Sequence, residues 1–234
     1  QVRTFSPEFK YRGDRKYVHG TDLYIVMMQG LEELGLGIPQ GRVAINLRHL
    51  VQHQPEVWYG EPGAKAATPD GALVDFQLEV AGGDLVGWFV ETDRPVHDSV
   101  PYNEEKIRNS TLIESQSIQM ESNTSFAPIE VFTSMAVHLH NTVLPPEGGK
   151  WVFTRLSISR PLVPEDTAQG RLELKKNFNN RLTDCEVFSG QESLGHIFFS
   201  FAGYPHGCHL FSLSATYGIF IRDIITFHSD LSVY

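Results

Sequence analysis

His19 and Asp22 are the side chains in this sequence best placed to move a proton. An imidazole changes charge near neutrality, and a carboxylate three residues on, across what reads as a helix start, can orient it. Glu32 and Glu33 offer further carboxylates along the same segment, so His19, Asp22 and Glu32 form the candidate catalytic set. The bland alternative gives Asp22 to the helix dipole and His19 to a turn hydrogen bond. Arg48 and Arg155 lie on segments that read as strands, and Arg160 at the end of one. A permanently charged fork facing a cavity would bind a carboxylate or phosphate there; a strand-edge arginine facing water would not. With Tyr24 and Trp151, Arg48 and Arg155 make up the candidate substrate-binding set. The spacing predicts that His19, Asp22 and at least one of these two arginines line one apolar cavity.

Other chemistry is thin. His138 and His140 would share a face on a strand but diverge on a helix, and no third ligand is marked nearby, so no metal is expected. His49 and His53, four apart within an alternating stretch, read as surface groups. No phosphate-binding glycine loop, no Gly-x-Ser-x-Gly elbow and no cysteine with its own base is present, and no cofactor is expected. Cys185 and Cys208 allow one disulfide and no zinc framework, and are read as free thiols in preference to a bridge.

The net charge of −9 disfavours a nucleic-acid partner unless a basic patch overrides the overall field, and the runs Lys10 to Lys16 and Lys175-Lys176 read instead as solvated faces. No stretch reaches the roughly 18 apolar residues that span a bilayer, because Arg222 and Asp223 interrupt Ile219 to Phe227. A soluble, cytoplasmic protein is expected. Acceptor sequons at Asn109 and Asn123 and a first residue other than Met leave secretion as the alternative. Fifteen Phe and 8 Tyr favour a β-rich fold enclosing an apolar cavity.

The elements that must position these groups follow from periodicity. Leu23, Val26, Met27, Gly30, Leu31 and Leu34 recur at helical spacing, with Thr21 as N-cap and Gly35, Gly37 and Pro39 as the stop. Val43, Ile45 and Leu47 alternate as a strand. Residues 59–71 read as a loop, and Ala81-Gly82-Gly83-Asp84 as a hairpin turn. The polar stretch Thr92 to Ser110 is the candidate linker. Beyond it, Leu112 to Met120 reads as a strand, and Ile129 to Leu144 as a helix whose Val131 to Thr133 would also suit a strand. Trp151 to Ile158, Gly170 to Asn177 and the hairpin Asp184 to Phe201 follow as strands, and the apolar tail His209 to Tyr234 as one or two more.

The order of helical stripe, strands and terminal hairpin appears twice, from about Tyr17 to Val90 and from about Phe126 to Ala202, which predicts an α+β duplication with a pocket between superposable halves, divided at 1–105 and 106–234. The hairpin Thr183 to Ala202 and the segment Lys150 to Thr167 resemble the hotdog fold of thioesterases and acyl-carrier dehydratases. Gly37 to Leu47 is similar to the helix-to-strand passage of A-factor-type hotdog proteins. The resemblance implies a tandem, or double, hotdog, with an antiparallel sheet wrapped around central helices. It also implies an acyl-thioester substrate in a tunnel between those helices, and a histidine working with a helix carboxylate. The proline-containing turn that follows the histidine in the dehydratases is absent after His19. The expected function is an enzyme of acyl-thioester or polyketide-like secondary metabolism, with dehydratase- or thioesterase-type acid–base chemistry. The alternative is a β-barrel-like protein that binds or cyclises a terpenoid or polyketide by shape. A small hydrophobic or acyl-thioester partner is expected, without nucleic acid or membrane, in a chain suited to a homodimer.

Overall fold

The computed structural model describes residues 2–65 and 67–203. Helix α1 spans Gly20–Glu33 and buries Leu23, Met27, Gly30 and Leu31 of the expected stripe, with Tyr24 beside them, while Val26 and Leu34 are half-buried. Its cap is His19 rather than Thr21. The His19 carbonyl accepts the N–H groups of Asp22 and Leu23, while the Thr21 hydroxyl is taken up by the His19 ring. Gly30 lets the helix lie close on the sheet: a Cβ there would stand 2.2 Å from the Tyr59 hydroxyl, which donates to the Met27 carbonyl at 2.8 Å. Helix α3, Pro128–Val143, follows a four-residue turn of helix, α2 (Glu105–Arg108), and takes the helical reading of its segment. Pro128 begins it, and the Ala127 N–H donates to Glu130 Oε2 at 2.8 Å. Ile129, Phe132, Met135, Ala136 and Leu139 make its buried stripe.

Among the described residues, eleven strands form one antiparallel sheet. In chain order they are β1 (Arg3–Phe5), β3 (Val43–Leu47), β4 (His53–Tyr59), β5 (Ala72–Val80), β6 (Gly83–Pro95), β8 (Thr111–Glu114), β9 (Ser117–Met120), β10 (Gly149–Ile158), β11 (Gly170–Phe178), β12 (Leu182–Ser189) and β13 (Glu192–Gly203). Their spatial order is β1-β4-β6-β5-β3-β10-β13-β12-β11-β9-β8. Two short strands, β2 (Tyr11–Arg12) and β7 (Ser99–Val100), pair in parallel beside it, and α4 (Glu165–Ala168) precedes β11. The seam between the halves is β3 against β10, with Ile45 opposite Leu156 and Val43 opposite Ile158. Both helices pack on this sheet and against each other, and one continuous core holds residues of each. Two long helices laid on one antiparallel sheet make an α+β architecture.

Each half supplies a helix and then four strands, but the strand orders differ. Outward from the seam, the first half runs β3-β5-β6-β4 and the second β10-β13-β12-β11, so the terminal hairpin is inserted in opposite sense. The connections explain this. Between β11 and β12 only residues 179–181 intervene, and Asn179 and Asn180 take positive φ (53° and 55°), so the two strands must be neighbours. Between β4 and β5 lie residues 60–71, up to about 40 Å of extended chain, enough to carry the backbone past β6 and start a strand parallel to the last.

Two readings are revised. The stretch expected as a linker continues β6 to Pro95 and then contributes β7 and α2, because its backbone is paired rather than free. Leu112 to Met120 is a hairpin, β8 and β9, turned by Ser115 at φ 57°. Ahead of α1, β1 lies as an edge strand beside β4. The tail His209 to Tyr234 and Cys208, with any bridge to Cys185, lie outside the described residues. No helix among the described residues is long and apolar enough to cross a membrane.

Candidate functional site

His19 is held where the extended lead-in turns into α1, and it lines a cavity of about 280 Å³ between that helix, α3 and the start of β10. Trp151, Phe153 and Phe199 form the apolar wall, Thr133, Ser134 and Asn141 come from α3, and Arg15 and Lys150 stand at the rim. The imidazole is 9% exposed. Its Nδ1 lies 2.7 Å from the Thr21 hydroxyl, and no hydrogen bond among the described residues engages Nε2. Burial, with Arg15, Arg12 and Lys150 nearby, pulls its pKa down to about 3, so the ring is neutral at physiological pH. Because Thr21 can donate or accept, it steadies either neutral tautomer.

The sequence paired His19 with Asp22, but no hydrogen bond among the described residues joins them: the Asp22 carboxylate is taken by Arg12, with Nε at 2.8 and 2.9 Å and with Nη2. The same guanidinium reaches Glu130 of α3 through Nη1 and lies over the Tyr102 ring at 4.8 Å, so it ties the two helices together. Three residues on a helix bring two side chains towards one face, but an arginine from the lead-in arm outcompetes a histidine kept neutral by burial. Glu32 is further from the site: 13 residues along the helix, or about 20 Å. It lines a second cleft of about 340 Å³ with Tyr24, Met28, Ile38 and Leu162. Although larger, that cleft contains no histidine. The Tyr24 hydroxyl accepts the Leu162 N–H at 3.2 Å, and burial raises its pKa to about 12.

The arginines stand outside the cavity too. Arg48 is exposed and paired with Asp75 at 2.5 Å. Arg155 alternates with the inward Leu156 and packs over Phe198 at 5.4 Å on the opposite face of the sheet. Strand assignment was right for Arg155, yet only the register decides which face it takes. Trp151 is the one candidate binding residue that joins His19 in its cavity. His49, read as a surface group, lines the rim, and His53 lies 3.7 Å from Glu91. Arg160 is held by Asp166 and Glu192.

His140 sits below the aromatic wall, fully buried between Trp151 and Phe199, with ring centroids at 4.8 and 5.2 Å. Its Nε2 is 3.5 Å from Cys185 Sγ and its Nδ1 has no partner among the described residues. Burial pushes the His140 pKa down to about 3 and the Cys185 thiol up to about 12, so this is a neutral pair rather than an activated thiolate. His138 turns the other way, to the Thr111 hydroxyl at 3.2 Å. Among the described residues no three His, Cys, Asp or Glu groups gather as a metal site would require. The α3 residues Thr133, Ser134 and Asn141 carried no sequence signal. Their helical spacing to the buried stripe was legible, but their sharing a cavity with a residue more than a hundred positions earlier was not.

No family model matches the chain, and no curated protein sequence does. Among solved structures it is similar to a pyran synthase domain from module nine of the sorangicin pathway, at 10% identity over 87% of this chain and 94% of that one, with a TM-score of 0.47. An acyl-ACP thioesterase from Bacteroides thetaiotaomicron is 12% identical over 86% and 98%, with a TM-score of 0.41. The dehydratase domain of PpsC from Mycobacterium tuberculosis, in complex with C12:1-CoA, is 10% identical over 86% and 94%, with a TM-score of 0.42.

Proposed function

We propose that this chain is a proton-transfer enzyme for an acyl chain carried as a thioester or polyketide-like intermediate. The observation that carries the reading is His19: neutral, oriented through Nδ1 by Thr21, and presented to an apolar cavity at the meeting of the two long helices. We read the fold as a tandem hotdog, divided at 105/106, with the first hairpin inserted in reverse.

In this reading the acyl chain lies along Trp151, Phe153 and Phe199, and His19 Nε2 takes a proton from it or returns one. Formation of the imidazolium in so dry a site is unfavourable unless negative charge develops beside it, so the substrate's own enolate or alkoxide stabilises the transferred proton. Asp22 does not share in the step, because Arg12 occupies its carboxylate. Its part is to hold the start of α1, and with it His19, against α3.

His19→Ala in the full chain tests this directly. Turnover should fall on the order of 10²- to 10⁴-fold while substrate binding is largely kept. The acid limb of kcat/KM should lie well below the ordinary histidine range, since the free enzyme's His19 stays neutral there. Unchanged turnover rejects the acid–base role.

A second reading is favoured because no carboxylate among the described residues is hydrogen-bonded to His19, and Glu104, which lines the same cavity, is held by Arg15 and Arg108: the cavity folds its ligand by shape alone, as a binding or cyclising protein would. Phe153→Ala would then reduce turnover more than His19→Ala does.

A further inference from the structure

Thr133 stands on α3 with its hydroxyl oxygen shut off from solvent and without a hydrogen-bond partner, and the residue as a whole is 3% exposed. A threonine within a helix ordinarily turns its hydroxyl to the carbonyl one turn back. Thr133 does not, and it lines the cavity that holds His19. Burying a hydroxyl without a partner destabilises a protein more than making the bond would stabilise it. Its neighbours do not complete it. The Ser134 hydroxyl lies 3.5 Å from that of Tyr102, and Glu130, the acid of the helix's first turn, is held by Arg12 and by the Ala127 N–H.

We propose that Thr133 is a recognition residue whose hydroxyl finds its partner in an oxygen atom of the ligand chain lying between α1 and α3. The ligand class is then an apolar chain bearing a hydrogen-bonding oxygen inside the cavity, as opposed to a plain alkyl chain. That the chain is an acyl one rests on the function proposed above; the role of Thr133 does not depend on His19 performing chemistry. The oxygen has two sources, a thioester carbonyl or a hydroxyl further along the chain, and both present the same chemistry to Thr133.

The test compares the full chain with its Thr133→Val and Thr133→Ser variants. Three probes of equal chain length serve: an acyl pantetheine thioester, its β-hydroxyacyl counterpart, and an alkyl pantetheine thioether lacking the acyl oxygen. In the empty protein, Thr133→Val should raise Tm by roughly 2–4 °C, because it removes an unmet polar group. It should weaken binding of an oxygen-bearing probe about tenfold and leave the thioether unaffected, while Thr133→Ser retains the discrimination. Weakening of both oxygen-bearing probes assigns the contact to the thioester carbonyl; weakening of the β-hydroxyacyl probe alone assigns it to the chain hydroxyl. A fall in Tm for Thr133→Val, equal weakening of all three probes, no change for any, or no binding of any probe to the parent protein overturns the proposal. Failure of the acid–base reading would show instead as unchanged turnover in His19→Ala, which leaves these binding comparisons intact.

Discussion

Acid should unfold this protein through two histidines before its carboxylates titrate. His19 and His140 are buried and held neutral, each with its pKa drawn down to about 3, whereas in the unfolded chain each titrates near 6.5. Above pH 6.5 neither state binds the proton and the two contribute nothing to the pH dependence. As pH falls through 6.5, the unfolded chain takes up both protons and the folded one takes neither. Stability then drops by about 1.4 kcal/mol per pH unit for each histidine, down to the folded pKa. Together they remove about 5 kcal/mol by pH 4.5, comparable to the entire stability of many domains. His138, drawn down by burial and Arg108 but more exposed, adds to the slope in the same direction. His196 has the opposite sign. Its hydrogen bond to Asp184 raises its pKa, so the stability it contributes is already fully present below 6.5 and constant through the window. The perturbation is His140→Leu, which removes one of the two protons and also the unpartnered Nδ1. Urea unfolding followed at half-unit steps from pH 7.5 to 5 should give, below pH 6.5, a slope shallower by about 1.4 kcal/mol per pH unit in the variant. An unchanged slope, or a His140 ring titrating near 6.5 by NMR, would refute the reasoning.

Two further outcomes follow from the packing around the same helix start. A Cβ at Gly20 would lie 2.6 Å from Phe153 Cδ1 and 2.9 Å from Leu47 Cδ2, so Gly20→Ala should push Phe153 into the cavity, lower stability by about 1–3 kcal/mol and weaken ligand binding; a Tm and affinity equal to the parent's would contradict that geometry. Arg12→Met leaves Asp22 and Glu130 facing each other, each side chain less than a fifth exposed, and should cost about 3 kcal/mol in urea unfolding, with Arg12→Lys recovering only part of it; a loss below about 1 kcal/mol would mean the two carboxylates find water instead.

The sequence by itself determined the two long helices, because their buried faces repeat every three to four residues over four turns, and the strands whose apolar residues alternate, such as Val43-Ile45-Leu47. His19 and Trp151, which share one cavity, were legible as candidates because a histidine beside a helix start and a strand tryptophan are uncommon features. What only the tertiary structure decided is who meets whom. Arg12 claims Asp22 because the lead-in arm folds back over α1, a contact that no local spacing encodes. Arg155 faces away from the cavity because register assigns each residue of a strand to one of two faces, and register is settled by pairing across the sheet; Arg48, one residue past the end of β3, is held by Asp75. The order of the terminal hairpins depends on loop length, twelve residues in one half against three in the other, rather than on the strands themselves. Thr133 became visible last, since an unmet hydroxyl is defined by the absence of neighbours, and only packing determines which neighbours a side chain lacks.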